Sequence, residues 1–224
     1  MGFNVAIDGP AGAGKSTIAK IVAKEKQFIY VDTGAMYRAM AIHFIKKGIA
    51  ATEMDKISEA VCDADVTIEY INGEQQVLLN GENVTPFLRT EEVGNMASAS
   101  SVNGDVRRKL VELQQKLAET ANVVMDGRDI GTCVLPNAQG KVYLTASVEV
   151  RAQRRYKELI EKGQEADLEK IKKDIEERDY RDMNRDISPL RQAEDAILVD
   201  SSNLNIEESA AAILALIDQY KGEK

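Results

Sequence analysis

Short apolar runs alternate along the chain with longer stretches in which apolar residues return every three or four positions. Phe3 to Asp8 (F-N-V-A-I-D) is an apolar run closed by Asp8-Gly9-Pro10, which predicts a buried strand stopped by a loop. From Lys15 the pattern turns helical, with Ile18, Ile21 and Val22 on one face. Phe28 to Val31 is a second short run; Asp32-Thr33-Gly34 breaks it, and a helix is predicted from about Ala35 to Lys47. Further helices are predicted over Glu53 to Cys62, from Thr90 (a cap followed by Glu91 and Glu92), over Asp105 to Glu119, Glu149 to Glu161 and Asp167 to Asn184. Val123 to Met125, Lys141 to Leu144 and Ile197 to Val199 read as strands. Asn205 caps a last helix, with Glu208 as its capping-box partner.

The middle of the chain has a different period. Val66, Ile68 and Tyr70 alternate with polar residues, Asn72-Gly73 follows, then Val77 to Leu79, Asn80-Gly81 and Val84. Asn-Gly between such runs is the strongest short hairpin signal, so a small antiparallel sheet is expected here. Elsewhere strands alternate with helices, which predicts an α/β fold: a parallel sheet with helices on both faces.

Composition narrows the class. The 224 residues are 44% hydrophobic and 29% charged, too apolar for a disordered chain, and no apolar run is long enough to span a membrane. A chain of this size hides roughly 70% of its unfolded surface and needs no disulfide or structural metal. The two cysteines, Cys62 and Cys133, have no metal-ligand spacing and are expected as buried thiols in a reducing compartment. No charged-then-apolar leader precedes the first run, so a cytoplasmic protein is expected. The net charge of −8 makes a generic nucleic-acid or polyanion binder a poor fit. An anionic ligand must then be met by a local cluster of donors.

Gly9-Pro10-Ala11-Gly12-Ala13-Gly14-Lys15-Ser16 matches G-x-x-x-x-G-K-[ST] and lies between a predicted strand and a predicted helix, as that motif requires. Glycines let backbone N–H groups turn inward, and together with a helix N-terminus these form an anion nest. Lys15 brings a cation to the β- and γ-phosphates, and Ser16 a hydroxyl for Mg²⁺. The motif implies a nucleoside triphosphate without naming the reaction. No N-K-x-D or T-K-x-D guanine reader is present, which weighs against a GTPase; an ATPase switch stays open.

Arg178, Arg181, Asp182 and Arg185 fall at i, i+3, i+4 and i+7 and so share one face of the predicted helix. Interleaved acids, Asp179, Asp182 and Asp186, allow a solvated, ion-paired face; beside a phosphate loop, fixed guanidinium groups point to phosphoryl transfer. Arg38 follows one strand-to-helix turn, and Arg128 and Asp129 follow the strand ending at Asp126. Ligands collect at the carboxyl ends of strands in open parallel sheets, which makes a second anion site beside the phosphate loop. Two adjoining phosphate sites suggest a kinase whose acceptor is itself anionic. His43, the single histidine, is expected to be structural, and Met36, Met40 and Phe44 form a core stripe.

Five stretches together resemble the bacterial cytidylate kinases, a branch of the nucleoside monophosphate kinases. They are I-D-G-P-A-G-A-G-K-S-T (Ile7 to Thr17), D-T-G-A-M-Y-R (Asp32 to Arg38), L-R-T-E-E-V (Leu88 to Val93), D-G-R-D-I-G-T (Asp126 to Thr132) and E-R-D-Y-R-D-M-N-R (Glu177 to Arg185), with D-S-S at Asp200 to Ser202. The resemblance implies a P-loop NTPase-type five-stranded parallel core made of 1–62, 97–153 and 169–224, a monophosphate-binding insert at 63–96, and a short lid at 154–168. It implies ATP with Mg²⁺ as donor and CMP or dCMP as acceptor, with UMP or AMP as the alternative acceptors, in pyrimidine metabolism. Gly9 to Thr17 would hold ATP, helped by Arg154 or Arg155 from the lid, and Asp126 would hold a water of the Mg²⁺ shell. Arg38, Arg128 and Arg185 would grip the acceptor phosphate; Thr33, Arg107 and Asp129 would read the cytosine; Ser98, Arg178 and Asp182 would meet the sugar. Lys15, Arg128, Asp129 and Arg185 would carry the chemistry, in a monomer without nucleic-acid or membrane partners. One departure is Thr33, where many members carry Ser; the hydroxyl is kept.

Overall fold

The computed structural model of the chain describes residues 2–222. In chain order the elements are β1 (Asn4–Asp8), α1 (Lys15–Lys26), β2 (Ile29–Asp32), α2 (Thr33–Lys46), α3 (Met54–Val61), β3 (Val66–Ile71), β4 (Glu74–Leu79), β5 (Glu82–Asn83), α4 (Glu91–Ser100) and α5 (Gly104–Thr120). There follow β6 (Val123–Gly127), a π-turn at Ile130–Val134, β7 (Gly140–Thr145), α6 (Val148–Glu161), α7 (Leu168–Asn184), β8 (Ile197–Asp200) and α8 (Ile206–Gly222). The main sheet has the order β2-β6-β1-β7-β8, and the pairs β1–β6, β1–β7 and β7–β8 are parallel. Helices cover both faces, so Val5, Ala6, Ile7, Val123, Val124 and Met125 are all buried despite pointing alternately to opposite sides.

The chain forms two compact units, one taking in residues up to Tyr30 and from Ala121 onward, the other Val31–Thr120. In the first, Ile7, Ile18, Val22, Leu144, Ile213 and Ile217 share a continuous core beneath α1 and α8. Each such side chain, fully buried, contributes about 1.5–3 kcal/mol. The register sets Asp8 beside Gly127, so the turns leaving β1 and β6 lie side by side at the sheet's carboxyl edge.

The second unit is wider than the 63–96 segment drawn around the small sheet. Helix α2 packs against α4, α5 and β4, and α3 packs against α5. Met36, Met40 and Phe44, four residues apart, are wholly buried in it. Two-residue turns join β3 to β4 and β4 to β5, with positive φ at Asn72, Gly73, Asn80 and Gly81. That is the type I′ geometry that Asn-Gly favours.

Three expectations are corrected. Cys62 and Cys133 are exposed, not buried. Cys62 follows α3, whose inner face is taken by Ile57, Ala60 and Val61; Cys133 falls on the outer side of the π-turn, whose inner positions are Ile130, Gly131 and Val134. Arg181 is exposed, and the inward positions at the end of α7 are Asp179 and Asp182. His43, read as structural, is buried, its Nε2 3.0 Å from the Ala60 carbonyl oxygen, and burial lowers its pKa.

Candidate active site

The loop from Gly9 to Ser16 leaves β1 and enters α1 with positive φ at Gly9, Gly12 and Gly14. A Cβ at Gly9 would lie 1.9 Å from the Leu144 carbonyl oxygen, so only glycine fits where the loop departs. No side chain caps α1, and its first turn holds no acid. Its first N–H groups are therefore available to an anion, with the positive end of the helix dipole behind them. Lys15 is buried, and its Nζ donates to the Pro10 carbonyl at 2.7 Å. Burial, then the charges of Arg128 and Arg178, hold its pKa well below the usual lysine value; Asp126 and Asp8 act the other way. The cations crowd one another and favour an arriving anion.

Asp126, near the end of β6, accepts from Ser16 Oγ and from Tyr30 Oη, each at 2.8 Å. A hydroxyl and a carboxylate oxygen in direct contact are the hard donors Mg²⁺ takes alongside water and phosphate. No cluster of three or more His, Cys, Asp or Glu able to hold a metal occurs among the described residues, so phosphate and water would complete that shell.

The turn after β6 carries Arg128 and Asp129. Arg128 Nε donates to Asp182 Oδ2 at 2.8 Å, and Arg185 donates to Asp129 Oδ1 at 3.3 Å. Both pairs are largely buried. Burial disfavours the charged guanidinium of Arg128, but Asp182, with Asp126 and Asp179 behind it, outweighs burial and raises the pKa. Burial likewise opposes the Asp182 carboxylate, and Arg128, Arg178 and Arg185 overcome it, lowering the pKa. Arg185 follows the last turn of α7 in extended conformation, and its Nε donates to the Ser188 carbonyl at 2.7 Å.

Two residues of this region went unread in the sequence. Asp8 accepts from Ile130 N at 2.8 Å and Gly131 N at 2.7 Å. Arg151, buried on α6, donates to the Ala11 carbonyl at 2.9 Å and pairs with Asp179 at 2.7 Å. It thereby ties α7 to the phosphate loop. The available signals were slight: an acid immediately before Gly9, and an arginine in the first turn of α6. Arg154 donates to the Ser201 and Leu204 carbonyls at 2.6 and 3.3 Å, while Arg155 is exposed and pairs with Glu158 at 2.9 Å.

The remaining candidates belong to the second unit. Thr33 is buried at the start of α2, whose cap Asp32 accepts from Ala35 N at 2.9 Å. Arg38 lies one turn further on, its guanidinium folded toward Gly34 and Asp32. Arg107, buried on α5, stacks over Tyr37 at 5.7 Å. Ser98 lies on α4, and its buried Oγ has no hydrogen-bond partner among the described residues.

A phosphate loop at the carboxyl edge of a parallel sheet, with buried arginines in the neighbouring turn, defines a P-loop nucleotide-binding protein. Residues 5–219 match the sequence model of the family described as cytidylate kinase, and the chain belongs to that family. A protein of Caldicellulosiruptor saccharolyticus named cytidylate kinase is 49% identical over 99% of this chain and 98% of its own length. One of Leuconostoc mesenteroides with the same name is 50% identical over 96% of each chain. The solved structure of an uncharacterized protein from Eubacterium ventriosum superimposes with a TM-score of 0.54 at 12% identity, covering 96% of this chain and 98% of that one. It shares the fold. No helix among the described residues is long and apolar enough to cross a membrane.

Proposed function

We infer that the chain transfers the γ-phosphoryl group of ATP to CMP and dCMP, giving CDP or dCDP and ADP. Family membership supports the reaction. The observation that carries the chemistry is the uncapped start of α1 beside Lys15, on which the charges of Arg128 and Arg178 act. The acceptor's phosphate oxygen is already an anionic nucleophile. It attacks the γ-phosphorus while the bond to the bridging oxygen of ADP breaks, and no general base is needed. The protein aligns the reactants, neutralises charge and excludes water.

Gly9 to Thr17 are assigned to the donor phosphates, with Lys15 on the transferring group. Ser16 and Asp126 would hold Mg²⁺, Asp126 through water, in keeping with their 2.8 Å contact. When bound, the ion neutralises charge on the β- and γ-phosphates. Arg38, Arg128 and Arg185 are assigned to the acceptor phosphate. Thr33, Arg107 and Asp129 are assigned to the base; a carboxylate accepts from the cytosine amine, where uracil would present an oxygen. Ser98, Arg178 and Asp182 are assigned to the sugar, and the unsatisfied Ser98 hydroxyl favours a ligand there. Residues 154–168 are assigned to a lid. Arg155 is its arginine for ATP, and Arg154 shapes the loop at Ser201 to Leu204. This reading has a cytoplasmic monomer working on small molecules in pyrimidine nucleotide metabolism.

Incubation with ATP and Mg²⁺, and with CMP, dCMP, UMP or AMP added singly, tests it by ADP release. Release dependent on CMP and dCMP, and abolished by EDTA, is expected. Equal release without an acceptor would make the protein an ATPase instead.

A further inference from the structure

We propose that Asp8 is a positioning residue for the acceptor turn: by capping the π-turn from a neighbouring strand, it takes the place of the Asp129 carboxylate there, which turns to Arg185 and the base instead. This rests on the assignment of Asp129 to the acceptor site.

The first N–H groups of any helical turn lack partners within the turn. A residue such as Asp129, standing immediately before one, ordinarily turns its own carboxylate back to cap them. Here it does not. The Asp129 side chain makes no cap hydrogen bond, and one of its oxygens lies 3.3 Å from Arg185. The orphan amides go to Asp8 instead, Ile130 N to one carboxylate oxygen at 2.8 Å and Gly131 N to the other at 2.7 Å. On the carbonyl side, Asp129 O accepts from Cys133 N at 2.8 Å and Val134 N at 3.1 Å. The backbone on both sides of Asp129 is thus fixed by atoms other than its own side chain.

The arrangement is costly to the fold. Asp8 is 4% exposed and forms no ion pair among the described residues. Burial raises its carboxyl pKa from 3.8 to about 6, against the pull of the two amides. A buried charge held by amides, with only the field of Lys15 to help it, is expensive, and packing alone would be served by a neutral side chain of the same shape. What a neutral isostere lacks is a second acceptor. Asparagine presents one oxygen and one NH₂, and the NH₂ would face an N–H. One amide would be released, and Asp129 is the acceptor nearest in sequence to recapture it.

The test is a cycle of Asp8→Asn, Asp129→Ala and the double variant. The readouts are KM for CMP, discrimination between CMP and UMP, the Kd of a non-hydrolysable ATP analogue, and thermal stability. D8N is expected to raise the CMP KM about tenfold and to weaken discrimination, with the analogue's Kd within about twofold and no fall in Tm. In the D129A background, D8N should add less than about twofold. The proposal is overturned by a D8N enzyme with unchanged CMP KM, by a full additional factor in the double variant, or by equal weakening of the ATP analogue. Should D8N fail to fold, Asp8→Ser carries the same comparison. A D129A enzyme with normal KM and discrimination would instead remove the acceptor-site assignment, and this inference with it.

Discussion

The turns leaving β1 and β6 lie beside each other, yet they are built on opposite plans. The phosphate loop is made of backbone: three glycines with positive φ, an uncapped helix start and one lysine resting on a carbonyl of its own loop. The turn after β6 is made of side chains: Arg128 on Asp182 and Arg185 on Asp129, each buried against its partner. The reason lies in desolvation. N–H groups at a loop edge can wait for a ligand at little cost, whereas a buried guanidinium left without an anion costs several kcal/mol. A site of arginines must therefore bring its own carboxylates.

The contrast can be broken from either side. The largest effect is expected at Lys15. Lys15→Met should lower kcat about a thousandfold, since the charge acts in the transition state. It should leave Tm unchanged or higher, because the lysine sits among Arg128 and Arg178. Next is Asp182→Ala, which strands Arg128. It should cost about 3 kcal/mol of stability by urea denaturation, and a normal unfolding midpoint would show that the pair does not anchor the turn.

The buried acid of β1 gives a pH signature of similar size. The folded protein keeps the Asp8 proton up to about pH 6, and the unfolded chain only to about 3.8. The folded state thus holds more protons between those values. Its contribution to stability is fully present below about pH 4, is lost as pH rises to about 6, and amounts to up to about 3 kcal/mol. Unfolding of the wild type and D8N across pH 4–7 should show that difference narrowing at the acidic end; parallel curves would contradict it. Smaller again is Asp129→Ala, expected to cut discrimination of CMP over UMP about a hundredfold while ATP-analogue binding changes little. Equal loss for every nucleotide would assign Asp129 to the fold instead.

The two plans also differ in how far they could be read from the chain. Everything in the phosphate loop is local: glycine spacing, the lysine, the strand before and the helix after. The hairpins at Asn72-Gly73 and Asn80-Gly81 were legible for the same reason, because type I′ turns demand those residues. The partners of the arginines are not local. Helical spacing placed Arg178, Arg181, Asp182 and Arg185 on one stripe, but the inward stripe takes Asp179 in place of Arg181. The choice depends on Arg151 of α6, 28 positions before Asp179 in the chain, which no periodicity links to it. The exposure of Cys62 and Cys133 was missed on similar grounds. A small apolar residue is inside only where its element turns that way, and both stand where their elements turn outward.

If Arg128 and Arg185 hold the acceptor phosphate as proposed, the carboxylates paired with them matter on the outward journey as well. A diphosphate leaving an unpaired arginine cluster would have to wait for solvent ions to take its place. With Asp182 and Asp129 tethered within reach, the replacement anions arrive with the protein itself. Under that proposal departure becomes an exchange inside one molecule, and turnover should vary little with the salt outside.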